Sequence, residues 1–266
     1  MLIVEFRFYE ELNDFLRPEQ RKRAFYHAVA RRATVKHAIE ALGVPHTEVE
    51  LILANGESVD FCYVLQGGDR ITVYPQFESL DVLSLVRVRD RTLRKIQFIA
   101  DAHLGALARY LRFLGFDTLY RNDFRDDEIA QISLAQRRIV LTRDRDLLMR
   151  RAITHGCYIR APDPSTQLEE VTRRLDLAGA IRPFTRCSVC NQLLEPIGKP
   201  SLHDVLAPDI VQRYKEFWVC RACHRVYWQG SHWHRLQQLI RSALGDTGAA
   251  YTRGNPATER KNALNF

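Results

Sequence analysis

Residues 96–121, IQFIADAHLGALARYLRFLGFDTLYR, contain the pattern from which the architecture of the central domain follows. The apolar run 96–100 predicts a buried strand. From 103 to 114 leucines recur at helical spacing and Gly115 follows, which predicts an amphipathic helix with a glycine just past its end. Residues 116–121 predict a second strand. A strand, a helix and a strand in this order are typical of a parallel sheet, whose strands need a crossover between them.

The same alternation continues along the chain as far as residue 178. It predicts a helix, a strand, a helix, a strand and a final helix at 126–136, 138–142, 146–155, 157–161 and 166–178. A capping box, Thr166-x-x-Glu169, predicts the start of the final helix. This alternation predicts an α/β domain over residues 96–182, with a parallel sheet and helices on both faces.

Acidic residues follow the strands of this predicted sheet. Asp101 comes directly after the first strand. The others lie where the next two helices begin, namely Asp126, Asp127, Glu128, Asp144 and Asp146. Ligands of parallel α/β sheets bind at the carboxyl ends of the strands, where these side chains are expected to meet. Gathered carboxylates repel one another unless a cation lies among them, and Mg²⁺ or Mn²⁺ prefers oxygen ligands and can promote phosphodiester hydrolysis.

Two interpretations of this acidic edge stay open. In the first it is a metal-nuclease site, and nearby arginines contact neighbouring phosphates, namely Arg109, Arg112, Arg143 and Arg145. In the second the aspartates only cap helices and complement helix dipoles, and the arginines belong to solvated helix faces. Acidic residues after three different strands favour the first interpretation for Asp101 and Asp144.

Two Cys-x-x-Cys pairs lie in the last third of the chain, Cys187 with Cys190 and Cys220 with Cys223. Four thiolates on two tight turns form a closed tetrahedral site, which predicts a structural zinc ion in a zinc ribbon over residues 183–244. A redox function is disfavoured because neither pair flanks a βα redox unit. Cys62 and Cys157 lie in apolar runs and are predicted to be small buried side chains.

Aromatic and basic side chains are dense in the second half of this module, namely Trp218, His224, Tyr227, Trp228, His232, Trp233 and His234. Nucleic-acid bases stack on such rings. The same rings can form the small core of a ribbon, and for any single ring the core is the favoured interpretation. Both interpretations stay open.

The net charge of +7 is unevenly distributed along the 266 residues. Residues 1–93 hold 12 Lys and Arg against 14 Asp and Glu, whereas residues 181–266 hold 12 against 6. This excess favours a polyanionic partner, nucleic acid first, although a basic surface without a partner fits the charge equally well. No segment approaches the ~18 consecutive apolar residues of a membrane helix. The acidic N-terminus lacks a signal-peptide pattern, so a cytoplasmic protein without a membrane partner is expected.

Residues 1–82 predict a small α+β domain. Strands are predicted at 2–8, 51–54 and 71–74, with a helix at 34–41 that Thr34 caps and Gly43 follows. Residues 83–95 are interpreted as a connector. Residues 245–266 are small and polar and predict a disordered tail.

The central and C-terminal parts together resemble the Mut-seven C-terminal RNase domain family over residues 96–240. The segments that carry the resemblance are DAHLGALARYLRFLGFDT, DDEIAQISLAQRRIVLTRDRDLL, RCSVCNQLL and FWVCRACHRVYWQGSHW. That family joins a PIN-like nuclease domain to a zinc ribbon. The resemblance therefore implies metal-dependent cleavage of RNA, whereas nothing else in the sequence distinguishes RNA from DNA as the substrate.

The resemblance also implies roles for particular residues. Asp101 corresponds to the first metal-binding aspartate, and Asp127, with Glu128 beside it, corresponds to the acidic position that opens the second helix. The Thr-x-Asp-x-Asp signature of PIN-like domains is matched by Thr142, Asp144 and Asp146. Leu147 stands where these domains often have Phe, a packing change that leaves the carboxylates in place.

The N-terminal domain resembles the ubiquitin-like β-grasp proteins, in particular the sulfur carriers. The matching segments are LIVEFRF, TVKHAIEALGV, VELILANGESV and GDRITVYPQFE. Sulfur carriers act through a C-terminal Gly-Gly, whereas Gly67-Gly68 is internal here and the corresponding end continues into the connector. A module that docks a protein partner or positions RNA is therefore expected.

Together these features predict a metal-dependent ribonuclease with Mg²⁺ or Mn²⁺ held by Asp101, Asp127, Asp144 and Asp146, and with a zinc ribbon that helps to hold RNA. A non-catalytic RNA-binding protein and a scaffold that acts through its ubiquitin-like domain are the rival interpretations.

Overall fold

The computed structural model describes residues 1–75, 95–231, 233–235 and 237–238. The predicted tail and, apart from Lys95, the predicted connector lie outside the described residues. The chain folds as two units, Met1–Ile96 with Phe124–Tyr158, and Gln97–Asp123 with Ile159–Phe266. No helix in the described ranges is long and apolar enough to span a membrane.

The N-terminal part is built from strands around one α-helix, namely β1 (Leu2–Phe8), β2 (Phe25–Val29), α1 (Val35–Ala41), β3 (Leu51–Ala54), β4 (Glu57–Val59) and β5 (Arg70–Tyr74). The strands form one sheet in the order β2-β1-β5-β3-β4. β1 and β5 run parallel, and the other neighbours are antiparallel. A mixed sheet in this order, covered by one helix, is the β-grasp fold, so that prediction is confirmed.

Helix α1 begins and ends as predicted. The hydroxyl of Thr34 accepts a hydrogen bond of 3.3 Å from the backbone N–H of His37, which satisfies a donor at the start of the helix. Gly43 follows the helix with a φ of +94°, a conformation that glycine adopts without steric cost. One face of α1, with Val35 and Ile39, is fully buried in the core of the sheet.

The rest of the chain alternates strands and helices before it reaches a small antiparallel module. The alternating part consists of β6 (Gln97–Ala100), α2 (Gly105–Phe113), β7 (Asp117–Tyr120), α3 (Asp126–Gln136), β8 (Ile139–Thr142), α4 (Arg145–Leu148), β9 (Gly156–Tyr158) and α5 (Pro164–Arg174). The module consists of β10 (Glu195–Pro196), α6 (Pro208–Arg213), β11 (Phe217–Val219) and β12 (Val226–Trp228). β6 pairs with β7 and β8 pairs with β9, both in parallel, as the alternation predicts.

Helix α4 is shorter than the predicted helix at 146–155, which was wrong in its second half. The α-helix ends at Leu148, and the chain then turns so that Ile153 is fully buried. The carbonyl of Ile153 accepts a hydrogen bond of 2.8 Å from Nε2 of His46. A partner 107 residues away in sequence therefore determines the conformation of this segment.

Helix α5 begins two residues before the predicted Thr166, so the predicted capping box was wrong. Asp163 is the N-cap, and its Oδ1 accepts from the backbone N–H groups of Ser165 and Thr166 at 3.2 and 3.1 Å. Pro164 occupies the first helical position, where its missing N–H costs nothing. The Asp163-Pro164 pair was therefore a stronger signal for the start of this helix than the capping box at Thr166.

Within the first unit, 3₁₀ turns of the ubiquitin-like domain pack against β9. A 3₁₀ turn, His46–Glu48, lies over this strand, and Oε1 of Glu48 accepts from the backbone N–H of Tyr158 at 2.7 Å. The ring of Phe15 meets the ring of Tyr158 edge-on, with 5.1 Å between the centroids. Glu48 is only 3% exposed, so this contact is part of a buried interface.

In the second unit, Gly115 lets two segments approach closely. It has a φ of +97°, and a Cβ placed there would collide with the carbonyl oxygen of Arg182. The backbone N–H of Arg182 donates to the carbonyl of Leu114 at 2.8 Å. The end of α2 is thereby joined to the segment that leads into the first cysteine pair.

The small module is an antiparallel sheet in the order β10-β11-β12. Its core consists of Leu202, Val211 and Phe217, against which Trp228 packs. A three-stranded sheet this small buries little apolar area, so a metal centre would add the stability that such a core lacks.

Candidate functional site

The four cysteines of the small module come together as predicted. Their sulfur atoms all lie within 4.8 Å of one another. Sγ of Cys187 is 3.5 Å from that of Cys223, and Sγ of Cys190 is 3.3 Å from that of Cys220. Four sulfurs bound to one zinc ion at ~2.3 Å would lie about 3.8 Å apart, so the cluster has the size of a tetrahedral metal centre.

The two cysteine pairs have the same backbone geometry. The residue after each second cysteine, Asn191 or His224, has a positive φ, +67° or +57°. Its N–H donates to the carbonyl of the first cysteine of the pair, at 3.0 Å for Asn191 and 2.8 Å for His224. Two equivalent tight turns therefore present the thiols to a common point. Asn tolerates the left-handed conformation well, which is a sequence signal for such a turn.

Cys187 is prepared for metal binding by its neighbours. Burial raises the pKa of its thiol, but hydrogen bonds outweigh that effect and lower the pKa to about 6. The strongest of these comes from the hydroxyl of Tyr227, which lies 3.0 Å from the sulfur. Burial and the bond to Cys187 raise the pKa of Tyr227, so its proton stays available for this bond. A thiolate, the form that binds metals, is thereby favoured at position 187.

A network of polar side chains attaches the first cysteine turn to β7. Oδ1 of Asp117 accepts from Nδ2 of Asn191 at 2.8 Å, and Oδ2 lies 3.3 Å from Nη2 of Arg186. The backbone N–H of Thr118 donates to Oδ1 of Asn191 at 3.1 Å. These contacts fix the turn relative to the parallel strands β6 and β7 of the same unit.

Arg112 takes part in the same attachment. It is buried, with 4% of its surface exposed, and its Nε donates to the carbonyl of Thr118 at 2.8 Å. Its Nη1 donates to the carbonyl of Val189, between two of the cysteines, at 2.6 Å. Burial lowers the pKa of Arg112, while the neighbouring thiols oppose that shift. The guanidinium is thus buried against two backbone carbonyl oxygens, and a phosphate contact by Arg112 stays a prediction.

The Thr142-x-Asp144-x-Asp146 segment forms an ordered turn at the end of β8. The backbone N–H of Asp144 donates to the hydroxyl of Thr142 at 2.9 Å. Oδ1 of Asp144 in turn accepts from the N–H groups of Asp146 and Leu147, at 2.8 and 3.4 Å. Both aspartates are exposed, whereas Leu147 is fully buried. The expected packing role of Leu147 is therefore observed.

The acidic residues that open α3 are held by arginines of the same unit. Oδ2 of Asp127 lies 3.1 Å from Nη2 of Arg125. Oδ2 of Asp126 lies 2.9 Å from Nη2 of Arg150, which links the first turn of α3 to the segment after α4. Oε2 of Glu128 accepts from the backbone N–H of Arg125 at 3.1 Å, as a glutamate at this helical position commonly does.

Asp101 lies in the second unit, at the end of β6. Its Oδ1 accepts from the backbone N–H of Ala102 at 2.6 Å and so caps a 3₁₀ turn, Ala102–Leu104. The side chain is half-buried. The hydroxyl of Tyr120, on β7, donates to the carbonyl of Ala102 at 3.0 Å and steadies this turn.

A shared metal site for Asp101, Asp127, Asp144 and Asp146 stays a prediction. Among the described residues, one group of three or more potential metal ligands has its ligand atoms close enough together for one ion, and this group is the cysteine cluster. The three other predicted RNA contacts, Arg109, Arg143 and Arg145, are exposed.

Cys157 is buried as expected, but Cys62 is exposed. The expectation for Cys62 was wrong because it lies in a turn, where its N–H donates to Asp60 at 2.8 Å.

The aromatic residues of the small module occupy two environments. Trp218 and Trp233 are buried, and both pack on Phe184, with 4.5 and 5.0 Å between ring centroids. These two rings belong to a core. Tyr227 and Trp228 are half-buried and line a cavity of the second unit. For them, the choice between core and stacking surface stays open.

This cavity also collects residues that the sequence analysis did not single out, chiefly Arg213 and Arg225, which join Arg109 there. Each comes from a different element, so no spacing along the chain predicts their meeting. The excess of positive charge in residues 181–266 was the signal that was available.

The fold and the cysteine centre together define a class of protein, one that joins a ubiquitin-like β-grasp sheet to a parallel α/β domain carrying a four-cysteine module. The family model described as Mut7-C RNAse domain matches residues 96–240, which is more than half of the chain. A second model, described as Mut7-C ubiquitin, matches residues 1–81. The chain therefore belongs to the Mut7-C RNAse domain family, and this membership supports a ribonuclease-type function.

Solved structures similar to the N-terminal part include two of small archaeal modifier protein 1 from Haloferax volcanii. Each is 20% identical and covers 28% of this chain, against 98% and 96% of the modifier chains. The TM-scores are 0.24 and 0.23, and the β-grasp assignment rests on the observed strand order instead. A search among curated proteins found no match.

Proposed function

We propose that this protein is a metal-dependent ribonuclease that hydrolyses RNA phosphodiester bonds, with Mg²⁺ or Mn²⁺ held by Asp101, Asp127, Asp144 and Asp146. The match of the Mut7-C RNAse domain model to residues 96–240 is the observation that carries this proposal. Glu128 is a further carboxylate ligand beside Asp127 in the proposed site.

The turn around Asp144 supports this assignment. One carboxylate oxygen of Asp144 is held by two backbone N–H groups, so the side chain is oriented before any ligand arrives. Exposed Asp146 follows two residues later. Fixed oxygen ligands of this kind suit a hard divalent cation. When bound, such an ion would hold a phosphodiester oxygen and lower the pKa of a water molecule to provide the nucleophile. Arg143 and Arg145, exposed beside the two aspartates, would contact the neighbouring phosphates.

Zinc is the metal that we propose for the cysteine cluster. Four thiolate ligands on two tight turns fit the tetrahedral coordination of a closed structural zinc site, which has no position left for a substrate. The function of the zinc ribbon would then be to fold this module and to help in binding RNA. A reducing compartment such as the cytoplasm would keep the thiols available for the metal.

The first test compares cleavage of end-labelled single-stranded RNA by the wild type and by Asp144→Asn, with Mn²⁺ or Mg²⁺ present. Asparagine retains the hydrogen-bond acceptor for the backbone but lacks the charge that a cation needs. Because loss of even an outer partner of a metal ligand costs ~10–100-fold in activity, we expect Asp144→Asn to lose at least about a hundredfold. Asp204→Asn makes the same change at an exposed position outside the acidic segments and should cleave like the wild type.

A second candidate function has its own support. Asp101 and Asp144 both accept hydrogen bonds from the N–H groups that follow them, which is what helix caps in a non-catalytic RNA-binding protein would do. Equal cleavage by the wild type and Asp144→Asn at matched circular dichroism, or no cleavage of RNA or DNA by either, would favour this candidate. The ubiquitin-like domain also suggests a protein partner.

A further inference from the structure

A cavity of about 800 Å³ lies in the second unit, beside the cysteine centre. Its walls come from α2, from the first cysteine turn, from α6 and the residue after it, and from β12 with the residues around it. This volume lies within the ~300–1,000 Å³ of pockets that hold small organic ligands. The cavity is therefore large enough for one nucleotide.

Three arginines give this cavity its charge. Arg109 lies on α2, Arg213 ends α6 and Arg225 precedes β12, and all three are exposed. None of the three forms an ion pair with any residue in the described part of the chain. Asp209 is the carboxylate among the lining residues. Three guanidinium groups held around one opening without carboxylate partners form an anion-binding surface, because each retains its donors for a ligand.

Aromatic side chains line the same space. Tyr110, Tyr214 and Trp228 are half-buried there, so part of each side chain is accessible. Gly230 helps to keep Trp228 in position, since a Cβ at residue 230 would lie 2.6 Å from Nε1 of the indole. Tyr227 is anchored by its hydroxyl at the sulfur of Cys187. The cysteine centre thus shapes one wall of the cavity.

We propose that this cavity binds a nucleotide of single-stranded RNA, with the base among the aromatic side chains and the adjoining phosphates on Arg109, Arg213 and Arg225. The proposal rests on the proposed ribonuclease function for the choice of RNA as the anion. Aromatic rings next to unpaired arginines are the combination with which proteins hold single strands, because every base has a face that stacks. A base inside a duplex is already stacked and paired, so the cavity discriminates against double-stranded RNA.

The test measures binding separately from cleavage. Fluorescence anisotropy of a labelled 12-nucleotide oligouridine is followed with Asp144→Asn protein, which carries the zinc ribbon intact, over a range of salt concentrations. Arg109→Ala, Arg213→Ala and Arg225→Ala are each added to this background. Because one phosphate contact to a single strand contributes a salt slope of about 0.7, each variant should bind about fivefold more weakly at 0.1 M salt than its parent. The triple variant should lose a slope of about 2.

Arg221→Ala is the matched control. This residue is exposed on the same module, but its guanidinium pairs with Glu195 at 2.9 Å and does not line the cavity. It removes the same charge and should leave affinity and slope unchanged. Tyr110→Leu should weaken binding at least about fivefold by removing a stacking ring, and Tyr110→Phe should restore it. Metal content and circular dichroism verify the fold of each variant.

Each outcome decides one question. Pocket variants that bind like the parent, or that lose no more than Arg221→Ala, overturn the pocket, whereas Asp144-dependent cleavage would still support the ribonuclease. Pocket-dependent RNA binding without any cleavage by the wild type supports the pocket and contradicts the ribonuclease. A 12-base-pair RNA duplex that binds as tightly as the single strand, with the same loss in the variants, contradicts the assignment to single strands.

Discussion

Asp144 caps helix α4 with one carboxylate oxygen and leaves the other oxygen for the proposed metal ion. Its Oδ1 accepts from two backbone N–H groups at the start of α4, while Oδ2 has no hydrogen-bond partner among the described residues. The metal-ligand and helix-cap interpretations of this residue are therefore compatible. Because the backbone bonds orient the carboxylate, they lower the conformational entropy that metal binding would cost.

This dual role leads to a stability prediction at the residue scale. Asp144→Ala removes the cap, whereas Asp144→Asn retains it, since asparagine is an equally good N-cap residue. We expect Asp144→Ala to lower the free energy of unfolding by ~1 kcal/mol relative to Asp144→Asn. Urea denaturation measures the difference. If the two variants were equally stable, Oδ1 would contribute nothing to the turn, although both would still lack the charge that cleavage needs.

At the scale of the element, the four-cysteine module makes two sets of contacts through its first cysteine turn. This turn is attached to β7 through Asp117 and Asn191, and the sulfur of its Cys187 bonds the hydroxyl of Tyr227, which lines the cavity. The ribbon's own apolar core is small, so loss of the metal should loosen both attachments.

Metal removal provides the test of this dependence. The chain has three tryptophans, and all of them, Trp218, Trp228 and Trp233, lie in the predicted ribbon, so tryptophan fluorescence reports on this element alone. We expect a strong chelator to release one zinc ion per chain and to shift the emission to longer wavelength as buried Trp218 becomes exposed. Added zinc should reverse the shift.

Cys190→Ser should reproduce the effect of the chelator without any treatment, because it leaves three thiolates. Cys62→Ser is the matched control, since Cys62 is exposed and lies outside the cluster. An emission spectrum and a zinc content that are equal in both variants would contradict a structural metal at this site.

At the scale of the whole molecule, the ubiquitin-like sheet belongs to the same unit as residues 124–158, which carry three of the four proposed catalytic aspartates. The ubiquitin-like domain is therefore packed against these residues and is not attached by a linker alone. Removal of residues 1–82 would leave the N–H of Tyr158 and the carbonyl of Ile153 without the partners that Glu48 and His46 provide. A loss of activity in a truncated chain would therefore first reflect lost stability.

A single substitution tests this coupling more cleanly than a truncation. Glu48→Ala removes a buried acceptor and leaves the half-buried N–H of Tyr158 on β9 without it, which should lower the free energy of unfolding by ~1–3 kcal/mol. Glu57→Ala, at an exposed position of the same domain, should change it by less than about 0.5 kcal/mol. Thermal denaturation of the full chain compares the two. Equal melting temperatures would mean that the interface with β9 contributes little.

How well the sequence predicts a feature of this protein depends on how far apart in the chain the interacting residues lie. Helix α3 was predicted with its observed ends, and its acidic first turn is a signal that lies within one element. Helix α4 was predicted too long, because a hydrogen bond from His46, far away in sequence, determines where Ile153 lies. Arg112 was predicted to contact phosphate because it is an arginine near the acidic residues. The structure shows that its side chain is buried and donates to a carbonyl of the first cysteine turn.

From local patterns, the sequence by itself determined a small α+β domain, a parallel α/β domain and the four cysteines that come together, because periodicity, capping residues and the Cys-x-x-Cys spacing are local properties of a chain. The resemblance to ubiquitin-like proteins implied the β-grasp fold, which the observed strand order confirms. Only the tertiary structure decided that the ubiquitin-like domain is part of one unit with residues 124–158, and that Arg109, Arg213 and Arg225 surround one cavity. Those features depend on which distant surfaces pack together. The free energy of that packing comes from burial and hydrogen bonding between segments, for which no short pattern in the chain is a signal.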